Sequence, residues 1–232
     1  VLLTDGGTAL MPHAERVLAA VADGIDAVRE RISGDTGKLS LAIVGTLANR
    51  DLTRALAAFR RRHPKVQIDI QTANSREVGE LVRRGEATFG LRYLSDRSPD
   101  LISRTIGHDT LLVVGPPRHR LAGRRRNPRE LVGERWVAFP ARDARESFVQ
   151  VLDRKLAAAG VEPREIVPID SLTAQKRLVE AGFGIAMLAA SGVHEELKAG
   201  TLKVIDVPAL AGGIAVTLVH RRHGHLGIAA RN

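Results

Sequence analysis

At 232 residues, with 44% hydrophobic side chains, the chain has room for one large domain or two small ones and ample apolar mass for a core. Zero cysteines exclude disulfides and thiolate chemistry and fit a reducing cytoplasm, and no apolar run approaches the roughly 18 residues that span a bilayer. The net charge of +9 favours anionic partners, while aromatics at 3% provide no stacking platform for single-stranded nucleic acid.

The opening VLLTDGGTAL has no basic region followed by an apolar block, so no signal peptide is read there. It does not start with Met, and the sequence ends abruptly at Arg231-Asn232, so a fragment cut at both ends is expected. Met11, Ala14, Leu18, Val21, Ile25, Val28 and Ile32 then step by three and four residues. That narrow heptad seam predicts a helix that pairs with another helix, although an amphipathic helix packed on its own domain gives the same pattern. Pro12 fits a first helical turn, and Gly34 to Gly37 end the helix.

From Gly37 to Gln71 the pattern reads strand, polar turn, helix, strand. Leu39, Leu41 and Ile43 alternate with smaller or polar residues. Gly45-Thr46-Leu47-Ala48-Asn49 breaks the alternation, and Leu52, Leu56 and Phe59 resume at helical spacing. Pro64 stops that helix before Val66, Ile68 and Ile70. A second polar turn, Thr72 to Ser75, precedes a helix carrying Val78, Leu81 and Val82. Strands follow at Ala87 to Leu94 and Leu111 to Val114. This alternation predicts a parallel sheet with helices on its faces. A polar turn at the carboxyl end of such a strand is where open α/β sheets bind ligands.

Residues 118 to 212 repeat the theme. The basic loop RHRLAGRRRNPRE leads to a short helix around Leu131. A strand is predicted at Trp136 to Phe139, a helix from about Arg145 to Ala159 and a strand at Ile166 to Ile169. Another helix follows Asp170 to Thr173, a buried strand ends near Leu188, and a short helix ends with His194 to Lys198. Strands at Leu202 to Val207 and Ile214 to Val219 complete the pattern. Three basic clusters stand out at Arg60 to His63, Arg118 to Arg129 and His220 to His223, each also readable as a solvated helix end or loop.

These segments carry a resemblance. LLTDGGTALMPHAERVLAAVADGIDAV resembles the end of the winged helix-turn-helix and the dimer-forming linker helix of LysR-type transcriptional regulators. GKLSLAIVGTL, AFRRRHPKVQIDI and LVRRGEATFGLRY resemble the first half of that family's effector-binding domain. LLVVGPPRHRLAG resembles the crossover into its second half, and LVEAGFGIAMLAASGVHEELKAGTL part of that half. The order and spacing of these segments carry the likeness rather than any single motif. Thr88, Ala189 and Thr53 depart from it, standing where Asp, Pro and Pro are usual.

The resemblance implies an α/β fold: two α/β subdomains of the type-2 periplasmic-binding-protein kind joined by two crossover strands, preceded by a long dimerisation helix. Residues 1–36 would hold the linker helix and the end of the helix-turn-helix. Residues 37–114 with 213–232 would form subdomain I, and 118–210 subdomain II. It further implies a cytoplasmic, homodimeric or homotetrameric regulator that senses a small anionic effector in the inter-subdomain cleft. Promoter DNA would be reached through the N-terminal domain, of which only the last piece is present. The implied effector-binding residues are Thr46, Ser75, Arg92, Phe139, Arg142 and Thr173, because hydroxyls and helix amino termini donate to a carboxylate and arginine pairs with it in two-pronged fashion. The dimerisation helix would pair through Leu18, Val21, Ile25, Val28 and Ile32. Other roles stay open: Thr46, Ser75 and Thr173 are also good helix caps, Arg92 fits a surface strand and Arg142 a solvated loop.

Catalytic motifs are missing. There is no G-x-S-x-G elbow, Walker loop or H-E-x-x-H, and Gly182-Phe183-Gly184 lacks the third glycine of a dinucleotide site. His220, His223 and His225 match no metal-ligand frame, and Arg221-Arg222 would repel a cation. Neither an enzyme nor a cofactor or metal is therefore expected. The alternative function is a solute-binding protein of a transport system, which predicts a signal peptide and no heptad helix.

Overall fold

The computed structural model describes residues 3–33, 37–140, 148–227 and 230, apart from the side chains of 26, 29–33 and 149. The chain forms two compact units. Residues 1–107 with 216–232 make up unit 1, and 108–215 make up unit 2.

Unit 1 begins with helix α1 (Asp5–Ser33). Its first turn is closed by Thr4, whose hydroxyl accepts from the Gly7 amide at 3.1 Å. Pro12 therefore lies inside the helix rather than in its first turn. The sequence hides this start because Gly6 and Gly7 are poor helix formers. One face of α1 packs on the unit: Ala19 is buried, Arg16 stands 3.8 Å from Asp100, and Arg221 donates to the Asp23 carboxylate. The opposite face leaves Leu18 69%, Val21 56%, Ile25 48% and Val28 59% exposed. These four belong to the predicted seam, and none of them is buried against the helix's own unit.

Strands β1 (Lys38–Val44), β2 (Gln67–Ala73) and β3 (Phe89–Tyr93) run parallel, with β1 in the middle. Helix α2 (Arg50–Arg62) connects β1 to β2, and α3 (Ser75–Arg83) connects β2 to β3. The core gathers Ala42, Val78, Val82, Ala87, Leu101 and Val219. At Gly90 an added Cβ would stand 2.6 Å from both Val78 and Val219, so α3 packs on β3 only because that residue has no side chain. Strand β9 (Gly212–Arg221) pairs with β3 antiparallel. The sheet is thus mixed rather than wholly parallel, because β9 enters unit 1 from unit 2 and runs against β3.

Strand β4 (Leu101–Gly115) passes from unit 1 into unit 2. It is far longer than Leu111 to Val114, because the polar and charged residues between Ser103 and Thr110 mask its first part. In unit 2 it pairs antiparallel with β7 (Ala186–Ala189) and β8 (Lys203–Ile205). β5 (Arg135–Ala138) pairs parallel with β6 (Glu165–Pro168). The helices are α4 (Phe148–Ala158), α5 (Leu172–Glu180) and α6 (Ala190–Ala199). Around Leu131 the chain makes a 3-10 turn, Pro128–Leu131, instead of a helix. Val114, Val137, Val179, Ala186, Leu188, Val193 and Leu202 form the core. Burial of each valine or leucine among them contributes about 1.5–3 kcal/mol.

One pH-dependent contact holds α5 to the turn after α6. The Thr201 hydroxyl donates to Glu180 at 2.6 Å, and Arg177 donates to the same carboxylate. In that order of weight they hold the Glu180 carboxyl below its usual range. A depressed carboxylate pKa stabilises the fold above the unfolded-state value and loses that contribution as pH falls through the folded value. Thr201→Val therefore lowers the melting temperature at neutral pH, and its deficit shrinks as pH falls through the carboxylate range. A deficit independent of pH would show that the hydroxyl acts by packing alone.

Candidate functional site

The register of unit 1 sets the candidates. Val44 pairs with Ala73 at the carboxyl ends of β1 and β2, so Thr46 and Ser75 each lie two residues beyond a paired position. Ile43 pairs with Leu91, which brings Arg92 to the same end of the sheet. Three of the six predicted effector residues therefore share one sheet end through strand order alone.

Neither hydroxyl at that end is spent as a cap. Thr46 lies within the 3-10 turn Gly45–Leu47, is 8% exposed, and its Oγ1 has no hydrogen-bond partner among the described residues. The cap of α2 is Asn49, which accepts from the amides of Asp51 and Leu52, both at 3.1 Å. The cap of α3 is Asn74, in a reciprocal box with Glu77, so Ser75, half-buried, is the first helical residue. The turn and the start of α3 aim amide N–H groups and the positive end of a helix dipole at this sheet end.

Arg92 is not a surface strand residue. It is 2% exposed and donates through Nη1 to the Asp96 carboxylate. Asp96 also accepts from the Ser98 amide at 2.9 Å. Gly79 makes this approach possible, since a Cβ there would stand 2.4 Å from Asp96 Oδ2. Directly across from Arg92 on β9 is Thr217, fully buried with no partner for its hydroxyl among the described residues. Sequence reasoning missed it: within an apolar run, a lone threonine reads as β-propensity.

In unit 2, Phe139 follows β5, half-buried, with its ring edge-on to Phe148 at 5.9 Å. Thr173 is exposed in the first turn of α5. The cap of that helix is Ser171, which accepts from the Ala174 amide at 3.4 Å. Arg142 lies outside the described residues. The residue at the amino-terminal cap of α6 is Ala189, whose methyl group cannot accept from the helix amides. Asp109 on β4 supplies the acceptor, taking the Ser191 amide at 3.3 Å and the Ser191 hydroxyl.

A cavity of about 550 Å³ lies elsewhere in unit 1, between α1 and the loop after β9, lined by Asp23, Gly24, His223 and His225 among others. Since β9 runs against β3, that loop is at the end of the sheet opposite Thr46 and Ser75. Among the described residues no cluster could hold a metal ion, and no helix is long and apolar enough to cross a membrane.

Residues 33–232 match the family model of the LysR substrate binding domain. The chain is 32% identical over 199 residues to the HTH-type transcriptional regulator CbbR of Sinorhizobium medicae, covering 83% of this chain and 60% of that protein. Its fold is that of the QuiR effector-binding domain in complex with shikimate, with a TM-score of 0.74, 14% identity and coverage of 84% of this chain and 92% of that one. It is also that of full-length CbnR complexed with its target DNA, with a TM-score of 0.72, 24% identity and coverage of 100% and 80%. The chain belongs to the LysR substrate-binding domain family, the effector-binding part of LysR-type transcriptional regulators.

Proposed function

We propose that this chain senses a small organic anion through Thr46 and Ser75 and passes that signal to promoter DNA as part of a cytoplasmic homo-oligomer. The observation that carries the reading is the Thr46 hydroxyl. A buried hydroxyl without a partner costs about 1–3 kcal/mol, and a ligand oxygen at the sheet end would satisfy it. Ser75 and the start of α3 supply the other donors. Arg92 adds positive charge from behind, its Nη1 engaged by Asp96. Phe139, Arg142 and Thr173 complete the proposed contact set. The same fold holds shikimate, an organic anion, in QuiR.

Self-association through the predicted seam, with Leu18, Val21, Ile25 and Val28 exposed and Ile32, whose side chain lies outside the described ones, gives the helix its partner and makes a dimer or tetramer. Promoter DNA is reached through a helix-turn-helix upstream of α1. The docking of Asp23 and Arg221 fixes α1 at the end of the unit 1 sheet opposite Thr46. Effector-dependent movement of unit 1 would therefore be felt by the helix, to the extent that the effector prefers one state. No residue is given a catalytic role. The exposed apolar seam on α1 favours this reading over a transport solute-binding protein.

The direct test is a gel shift of the longer protein against its own upstream region, with and without ligands found by a thermal-shift screen of small carboxylates. Absence of any sequence-specific shift would sink the regulator reading. The site is tested by Thr46→Val combined with Ser75→Ala. Each hydrogen bond lost to a charged group costs about 1.5–3 kcal/mol, so removing both hydroxyls weakens effector binding by about 100-fold or more. Without ligand the melting temperature should not fall, because Thr46→Val removes a buried hydroxyl with no partner among the described residues. An unaltered response to the effector would remove both residues from the site.

A further inference from the structure

The basic loop between β4 and β5 is left unused by effector sensing. Its stretch Arg118 to Arg129 holds six arginines and no acid. Such a stretch could be a floppy, solvated connection, but this one is built. Leu121 and Leu131 are buried at 1% and 0% exposure and pin both halves of the loop. The Gly123 amide donates to Val204 O at 3.1 Å, and the Arg126 amide to Asp206 O at 2.7 Å, which lays the loop along β8 and the chain just after it. Gly123 turns the chain with φ +74°, a backbone conformation that suits glycine.

Two of the six arginines are spent on the loop itself. Arg126 donates to the carbonyls of Arg120 and Leu121 at 2.8 and 3.2 Å and to Glu130 at 3.2 Å. Arg120 donates to Glu134 and to Glu130 O. The His119 ring, 3.3 Å from Glu134, shares that carboxylate. Both nearby glutamates are thereby engaged. Glu130 also closes the box with Asn127 that starts the 3-10 turn. The other four, Arg118, Arg124, Arg125 and Arg129, are exposed and form no ion pair among the described residues. Lys203 is exposed at the end of β8 that pairs with Gly115 at the base of the loop. Two arginines thus fix a scaffold on which four others face solvent, with Asp206, whose backbone pairs with that of Arg125, the acid beside them.

We propose that Arg118, Arg124, Arg125 and Arg129 form a second nucleic-acid contact of this protein, gripping the phosphate backbone of duplex DNA without reading its sequence. The partner is a polyphosphate because planar guanidinium groups pair with phosphate oxygens in two-pronged fashion. Release of condensed counter-ions drives the association. Duplex DNA fits better than a lipid surface, since the stretch Arg118 to Arg129 exposes no aromatic or large aliphatic side chain beside its charges, and the single Val132 beyond it is too little to insert. In the cell the contact rests on the regulator reading: unit 2 would hold DNA flanking the promoter site while the helix-turn-helix reads it.

The test uses the 232-residue chain, fluorescence anisotropy with a short duplex of arbitrary sequence, and a salt titration. The chain should bind whatever the sequence, weakening steeply with salt. Replacing all four arginines (R118Q, R124Q, R125Q and R129Q) should weaken low-salt binding at least about tenfold and reduce the slope of log K against log salt by about 3–4. Replacing Arg60, Arg61 and Arg62 by glutamine, in the other arginine cluster, should leave most of the binding in place. Emission of Trp136, the single tryptophan, and the melting temperature report the fold of each variant. The four-site variant should keep its thermal response to the effector, which separates failure here from failure of the sensing reading. No duplex binding at low salt, an equal loss in both variants, or binding to phosphatidylglycerol vesicles but not to DNA would overturn the proposal.

Discussion

Asp96→Ala lowers the unfolding free energy by about 3 kcal/mol or more, read by urea denaturation followed by circular dichroism. The size follows from what is left behind. The Arg92 side chain is 3% exposed and that of Asp96 18%, so removing the carboxylate takes the opposing charge from a buried guanidinium that cannot reach water without opening the packing of α3 on β3. Asp96 is itself held tightly. Its amide donates to the Ser103 hydroxyl at 3.1 Å, and that hydroxyl donates back to Asp96 O at 2.9 Å. Both are backbone contacts that the substitution leaves in place, so the loss comes from the carboxylate and its bonds to Arg92 and the Ser98 amide. The double variant Arg92→Met with Asp96→Ala should recover much of the loss, because no charge is then buried. A single-variant loss under about 1 kcal/mol, the range of exposed pairs, would place the Arg92 guanidinium in water. Effector binding separates two roles for Arg92 in the same experiment. If Arg92 acts only by its field, Asp96→Ala should tighten anion binding in the molecules that remain folded.

Much of this fold was legible because period and punctuation agree. Leu39, Leu41 and Ile43 alternate, Pro64 stops α2, and the family likeness lies in the order of such segments. The capping asparagine of α2, Asn49, was visible as a polar residue just before a helical repeat. Other features were hidden by residues that act through distant partners. The first two thirds of β4, from Leu101 to Thr110, are a strand because of their position in the chain path, while their own side chains are mostly polar. The amino terminus of α6 is capped by Asp109 from 82 residues away, so local sequence around Ala189 shows no cap at all. Arg92 reads as an exposed strand charge until Asp96 and Gly79 are brought around it. The site was legible in part for the same reason. Parallel pairing carries Thr46 and Ser75 to one sheet end, which order alone predicts. The burial of Thr46 and the capping by Asn74 in place of Ser75 depend on side-chain packing, which no periodicity encodes.

Trp136→Ala destabilises the chain by about 3–5 kcal/mol. Trp136 is completely buried in β5, paired with Ile166 on β6 and bridged to Ile185. The Val137 amide donates to Ile185 O at 2.8 Å and the Ile185 amide to Arg135 O at 2.9 Å. Beside them, Gly184 comes so close that a Cβ would stand 2.4 Å from Arg135 O. This backbone has no room to collapse into the space an indole leaves, so most of the cavity should persist. Phe139, one residue beyond β5, should lose its edge-on contact with Phe148 as the strand end loosens. Trp136→Phe makes the sharper comparison. The indole Nε1 is buried with no partner among the described residues, a cost of about 1–3 kcal/mol that phenylalanine removes. Phenylalanine should therefore cost far less than its smaller volume implies, about 1 kcal/mol or less against the full alanine penalty. Urea midpoints by circular dichroism decide this. Equal losses in the two variants would mean that the N–H is satisfied, and that it anchors β5 as much as the ring does.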